Sequence, residues 1–437
     1  MMDLIETTPK MDLAIHDIEH LVEELRAYHA IYSPLFQRRE QREAAHSSLQ
    51  GLLAPLPRKS IEPMVLAVDG VAPKAVRAMQ SFISEGQWND ERLLHQHWQE
   101  VEADLGADDG VLMVDGSDFP KQGSHSVGVK RQYCGELGKR ANCQAGVFVG
   151  YVSLQGYTVL DRRLYVPAEW LTDDAYTARR QQCGLPPDLP FKTKPALAQE
   201  MLAAVVKSQT LRCRWVVADE AFGGNPGFLD GVAGLGLWYF TEVPHTTRVW
   251  QERPATHIPP RRGRGRRPQR ERLVDGAPQA RTVLEVAGAL PAEAWTRQTI
   301  KEGSQGPMVA EFAAIRVVAV RDTLPGPEVW LVLRRQVEAG ALKSYLCHAP
   351  GDTALEKLVH MSGMRWPIET CFEDSKQLSG MGDYEVRSWA GWHHHMTLVI
   401  LAHFFVVRMS LRLKKSPSSD VAPSGAGVGS GFAPPRV

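Results

Sequence analysis

Paired cysteines are missing from this sequence. Its six cysteines (Cys134, Cys143, Cys183, Cys213, Cys347 and Cys371) show no Cys-x-x-Cys spacing, which excludes a structural zinc module and a disulfide framework. A long apolar run is missing too. The most apolar stretch, MTLVILAHFFVV at 396–407, is shorter than the ~20 residues a bilayer crossing needs, and a buried core helix is expected there. The amino terminus, MMDLIETTPK, lacks a basic start followed by an apolar stretch, so no secretory signal is read and a reducing, cytoplasmic address is expected. Net charge is absent as well. Lys+Arg and Asp+Glu are both 50, so no global positive field attracts a polyanion, and any basic surface must be clustered.

What is there fits a soluble globular chain. An apolar fraction of 43% and a charged fraction of 23% are ordinary, and 437 residues are too many for one simple core. Residues 1–105 read as a helical domain. Leu13, Ile15, Ile18, Leu21, Val22 and Leu25 keep the helical period, and further helices are expected near 60–68, 73–84 and 90–104, with Asn89 as an N-cap. From 106 to 243 the character is α/β. VLMVD (111–115) reads as a buried strand, 144–153 and 157–166 as a hairpin turning at Gln155-Gly156, and 195–208 as a helix. RWVVAD (214–219) and LGLWYFTEV (235–243) are further short apolar strands. Prolines, an arginine run and strand-like pieces at 311–320 and 328–335 make 244–345 a β-rich insertion. Helices return over 346–412. The tail 413–437 is rich in Ser, Pro, Gly and Ala and is expected to be disordered; no internal repeat is visible.

Three acidic residues stand where metal-assisted phosphoryl chemistry places them. Two divalent ions roughly 3.5–4 Å apart can activate a nucleophilic oxygen, stabilise the leaving oxygen and neutralise the phosphate. Such ions are hard, and Mg²⁺ keeps several waters, so a few carboxylates suffice. In open α/β sheets these belong at the carboxyl ends of strands. Asp115 and Asp219 each end a short apolar strand and precede small residues. Taken singly, either reads equally as a turn or helix-cap aspartate. In RWPIETCFEDSK (365–376), Pro367 suits a first helical turn, and Arg365, Glu369, Glu373 and Lys376 fall on one face. That stripe is either a solvated salt-bridge ladder or a metal-binding glutamate flanked by phosphate-binding cations. Asp118, Glu220 and Glu373 are the rival carboxylates.

Together the segments VDGSDFPKQGSHSVGVKRQY, VVADEAFGG and RWPIETCFEDSK resemble the three blocks of bacterial insertion-sequence DDE transposases, most closely the group around the IS-four and IS-seven-oh-one elements. The tyrosine–arginine–glutamate–lysine signature of that family is matched by Arg365, Glu369 and Lys376 in identity and spacing, with Ser362 at the tyrosine position. DYEVRSWAGWHHHM (383–396) is similar to the helix that follows the glutamate. The resemblance spans roughly 105–412. It implies an RNase H-like catalytic core with a β-rich insertion before the glutamate helix. It further implies Asp115, Asp219 and Glu369 as catalytic ligands of Mg²⁺ (or Mn²⁺), two ions, and a homodimer on double-stranded DNA. Arg365 and Lys376 would then contact phosphates. Ser362 and the unusual tail leave a second reading open, a catalytically impaired or co-opted transposase acting as a DNA-binding protein.

Other basic and aromatic residues add candidates. HIPPRRGRGRRPQRERL (257–273) carries Arg261, Arg262, Arg264, Arg266, Arg267, Arg270 and Arg272; the run is either a solvated basic loop or, as arginine–glycine runs of this kind suit A·T-rich minor grooves, a DNA-binding hook. Lys121, His125, Lys130 and Arg131 follow the first aspartate and either steady a cleaved strand or decorate a hairpin. Trp389 and Trp392 either stack on a base or pack a helix against the core. The amino-terminal helices are expected to recognise transposon ends, by analogy alone.

Overall fold

A computed structural model describes residues 15–260, 269–303, 306–336 and 340–415. The first quarter is helical: α1 (Ile15–Tyr32), α2 (Arg39–Leu53), α3 (Ile61–Asp69), α4 (Pro73–Ser84) and α5 (Asp90–Leu105). Local chemistry sets the breaks between them. Gly70 takes a positive φ of 70° after α3, Pro73 opens the first turn of α4, and the Asn89 side chain accepts from the Arg92 N–H to cap α5. Leu25, Tyr28, Leu49, Leu52, Met64, Ile83, Leu93 and Val101 turn one face of each helix into a shared core.

A large mixed sheet follows. Its first strands are β1 (Val111–Pro120), β2 (Lys130–Cys134), β3 (Lys139–Val152) and β4 (Tyr157–Tyr165). Short helices α6 (Ala168–Thr172) and α7 (Thr177–Gln182) lead to α8 (Lys194–Ser208), capped by Thr193. Next come β5 (Trp215–Ala218), α9 (Glu220–Gly223), α10 (Pro226–Gly234) and β6 (Trp238–Glu242). β1–β5 and β5–β6 pair parallel, whereas β1–β3 and β3–β4 pair antiparallel. The five strands therefore lie in the order β4-β3-β1-β5-β6. All four residues of β5 are buried, the pattern of a central parallel strand covered on both faces.

Residues 244–348 extend this sheet. They form β7 (Arg248–Trp250), β8 (Thr256–His257), β9 (Arg272–Leu273), β10 (Arg281–Thr282), α11 (Val283–Ala289), β11 (Thr296–Gly303), β12 (Gly306–Arg321), β13 (Leu324–Gln336) and β14 (Leu342–His348). β14 pairs antiparallel with β6, Tyr345 opposite Glu242 and His348 opposite Tyr239, so one sheet runs on through β13, β12, β7 and β10. Only the β8–β9 ribbon, on either side of the arginine run, stands apart among the described residues.

The chain closes with α12 (Leu355–Gly363), α13 (Trp366–Leu378) and α14 (Trp389–Lys415). The apolar run at 396–407 is the middle of α14, which is longer than the run itself. By length and composition α14 is apolar enough to cross a membrane, but 61% of its apolar window is buried inside the protein. It packs on β4 and on α2, α4 and α5, which makes it the core helix joining the helical layer to the sheet.

Candidate active site

Two aspartates are brought side by side by the strand register. The parallel pairing of β1 with β5 ends at Val114 opposite Ala218, and the next residues are Asp115 and Asp219. Paired strands lie about 4.8 Å apart, so these side chains leave neighbouring backbones at the same level. Asp115 does not end its strand, contrary to the sequence expectation. β1 continues to Pro120 because β3 still supplies antiparallel partners, Phe148 for Asp115 and onward to Cys143 for Pro120. What ends at Asp115 is the contact with β5. Its Oδ1 accepts from the Gly116 N–H at 2.7 Å. Asp219 caps α9, accepting from the Ala221 N–H at 3.0 Å, so the ordinary cap role coexists with its place beside Asp115.

The third carboxylate comes from α13. Pro367 sits in its first turn, and Ile368, Cys371, Phe372 and Ser375 form its buried side, with Phe372 edge-on to Phe148 of β3 at 5.2 Å. This apolar face holds the helix over β4 and β1, with Phe372 reaching Phe148 of β3, and leaves Glu369 on the flank. Arg365 Nη1 donates to Asp115 Oδ2 at 3.1 Å, and Nη2 donates to Glu369 Oε1 at 2.5 Å. One guanidinium therefore ties the first carboxylate to the third. The i,i+4 ladder contact expected of a solvated stripe is present and partly solvated, but Arg365 carries it on to Asp115.

The charges are crowded. Burial first, then the neighbouring Asp219, pushes the Asp115 carboxyl up to about 7, with Arg365 opposing. Burial also raises Asp219, again against Arg365. Burial works against the Arg365 charge, yet Asp115, Glu369, Asp219 and Glu242 more than offset it and raise its pKa. Glu242 was missed in the sequence. It ends β6 as the aspartates end their strand pairing, and Lys343 of β14 binds both its oxygens at 2.9 and 3.1 Å. The shared signal was an acidic residue closing a short apolar strand.

Two clefts flank Glu369. One, of about 560 Å³, is lined by Asp115, Asp118, Glu136, Glu369, Glu373 and Lys376. The other, of about 270 Å³, has Arg365, Glu369, Glu242, Ser362, Tyr345 and Trp366 among its walls. Ser362 is buried and its Oγ donates to the Val359 carbonyl at 2.6 Å.

The remaining candidates are scattered, apart from Lys376, Asp118 and Glu373, which line the first of these clefts. Lys376 pairs with Glu136 and Lys130 with Glu169, while Arg131 and His125 are exposed. Lys121 faces a different cleft, with Arg58, Asp383, Glu385 and Arg387. Its ammonium lies 3.3 Å above the Tyr384 ring and donates to the Tyr384 carbonyl at 3.0 Å, and burial draws it down to about 8. Asp118 accepts from the Gly135 N–H at 2.6 Å, Glu220 is exposed in α9, and Glu373 accepts from Gln377 at 3.2 Å. None of these three reaches Arg365 through a hydrogen bond, as Asp115 and Glu369 do. Arg261, Arg262, Arg264, Arg266 and Arg267 lie outside the described residues; Arg270 and Arg272 are exposed.

A base-stacking role does not fit Trp392. Its ring is wholly buried, near Phe148, and His393, His394 and His395 beside it are buried and bonded to backbone carbonyls. Trp389 is partly buried and packs on His393 at 4.3 Å. Trp392→Ala is expected to cost about 3–5 kcal/mol of stability, as a deleted core aromatic does. Trp392→Phe should leave DNA affinity unchanged by fluorescence anisotropy; a tenfold loss in a fully folded Phe variant would restore the stacking role.

A divalent metal fits the aspartate pair. Among the described residues no group of three His, Cys, Asp or Glu side chains converges on one point. Asp115 and Asp219 still offer hard oxygens from adjacent strands, and a dication would offset the burial and the Asp219 repulsion that raise Asp115. Mg²⁺ needs only one or two carboxylates, since it retains waters.

No curated protein matches this chain. The family model described as DDE superfamily endonuclease matches residues 32–307, a span that contains Asp115 and Asp219 and stops short of Glu369. With well over half its length matched, the chain belongs to the DDE superfamily of endonucleases.

Proposed function

We propose that this endonuclease is a transposase of the insertion-sequence type, cutting DNA at transposon ends and joining the freed 3′-hydroxyl to target DNA. The observation that carries the reading is the meeting of Asp115 and Asp219 at adjacent strand positions, with Glu369 joined to Asp115 through Arg365. The strand order β4-β3-β1-β5-β6, antiparallel then parallel, supports an RNase H-like core. In that reading 244–345 is an insertion that extends the core sheet, and the chain falls in the group around the IS-four and IS-seven-oh-one elements.

Asp115, Asp219 and Glu369 would hold two Mg²⁺ (or Mn²⁺) ions, whose chemistry is to activate water or a 3′-hydroxyl and to neutralise the phosphate. The chain's own groups do the positioning. Arg365 and Lys376 are already aimed along α13 and bonded to carboxylates, and each can exchange a carboxylate oxygen for a phosphate oxygen. Both reactions are in-line phosphoryl transfers, in which alignment supplies much of the rate. The amino-terminal helices and the arginine run would bind the ends in a dimer in the bacterial cytoplasm.

Joining distinguishes a transposase from a nuclease that only cuts. Labelled oligonucleotides ending in the element's 3′-terminus, incubated with a supercoiled plasmid and Mg²⁺, are expected to become covalently linked to the plasmid. Nicked ends without any linked product would reduce the function to hydrolysis.

A further inference from the structure

Lys59 lies in the loop between α2 and α3, far in sequence from every block that carries chemistry, yet it is only 4% exposed. A buried ammonium must be held by polar partners. Its Nζ donates to the Leu52 carbonyl in the last turn of α2 at 2.6 Å and to the carbonyl of Leu378, the last residue of α13. Helix C-termini carry carbonyls with no intrahelical partner and the negative end of the macrodipole, so one cation serves both. The Lys59 backbone N–H also donates to Asp383 Oδ2 at 2.8 Å. Gly380, just past α13, has φ +63°, and a Cβ there would come within 2.5 Å of the Lys59 Cβ. The lysine in the last turn of α13 itself, Lys376, is turned to Glu136.

We propose that Lys59 is a positioning residue, through which the amino-terminal helices hold the C-terminal end of α13 and so set Glu369 against Asp115. This rests on the proposed role of Glu369. Leu378 is nine residues from Glu369, about 13 Å along the helix, so a loosened end tilts the carboxylate. Misplacing a reacting group by ~1 Å costs on the order of 100-fold. Neighbouring bonds, such as His395 Nε2 to the Gly380 carbonyl at 3.2 Å and the Met381 N–H to the Ser375 carbonyl at 2.9 Å, secure the loop but do not reach α2.

The test compares wild type, Lys59→Met and Lys59→Arg in the full chain. Amide hydrogen exchange without DNA or metal reads the helix directly. Lys59→Met is expected to speed exchange over 374–379 about tenfold, with β1 and the centre of α14 unchanged. With Mg²⁺ and end-bearing DNA, kcat should fall about 100-fold at unchanged DNA affinity, and Lys59→Arg should recover part of it. Should Lys59→Met fail to fold, Lys59→Gln, which removes the charge at the same position, must give the same local exchange. Unchanged exchange in α13, or uniform loosening of the whole chain, overturns the proposal. If wild type itself does not cleave, the transposase reading falls, while the exchange result still decides what Lys59 holds.

Discussion

Asp219→Ala and Asp115→Ala are each expected to slow Mg²⁺-dependent cleavage of end-bearing DNA by at least about 10³-fold, while affinity for that DNA stays within about threefold. A metal clamp on a phosphoryl centre supplies several kcal/mol of transition-state stabilisation, and ~4 kcal/mol corresponds to about three decades in rate. Both aspartates carry that burden because the register puts them at one level on paired strands. Glu369→Gln should lose less, about 100-fold, since an amide still bonds Arg365 but no longer offers a charged ligand. Single-turnover nicking of a labelled duplex, with a thermal melt to confirm folding, gives these numbers. An Asp219→Ala protein cutting within tenfold of wild type would place the metal elsewhere.

The opposite sign is expected when stability is measured. The Asp115 carboxyl is raised from 3.8 to about 7, so the folded state keeps a proton that the unfolded chain releases. Stability from that proton is full below about pH 4, is lost as pH rises through the window, and is gone above pH 7. Asp115→Asn removes the dependence and should stabilise the metal-free protein at pH 8 by roughly 2 kcal/mol, less than the full linkage of the shift because Arg365 remains to be satisfied. Arg365→Ala does the reverse. It strands Asp115 and Glu369 without their shared cation, and should cost about 2 kcal/mol at pH 8 in EDTA, a discounted figure because Arg365 and Glu369 are partly solvated. Millimolar Mg²⁺ should return much of that loss. Urea denaturation at pH 5, 7 and 8 reads both variants; an Arg365→Ala protein as stable as wild type in EDTA would mean the bridge carries no weight.

Much of the local structure was legible because it rests on short-range chemistry. Asn89 at the cap of α5, Pro73 and Pro367 in first turns, and the Gln155-Gly156 hairpin all sit where their backbone preferences put them. Asp115, Asp219 and Glu369 stood out as candidates in three short blocks, and the structure sets Asp115 level with Asp219 and bridges it to Glu369 through Arg365. Non-local pairing was not legible. VDGSD reads as a strand ending in a turn, but β3 holds β1 extended to Pro120, a fact that depends on residues some thirty positions away. The same limit hid the pairing of β14 with β6, which joins the strands after 244 to the sheet that carries the aspartates. Glu242 and Lys59 escaped for a related reason: neither lies in a motif, and each acquires its role from a partner on another element.

Wild-type protein incubated with a supercoiled plasmid bearing the element's native ends, in Mg²⁺ and in EDTA, is the most direct test. Nicks at the ends leaving 3′-hydroxyls, in Mg²⁺ alone, are the expected result. Protein that binds those ends yet never nicks them in Mg²⁺ or Mn²⁺ would contradict it, and would leave a DNA-binding relic in place of the enzyme.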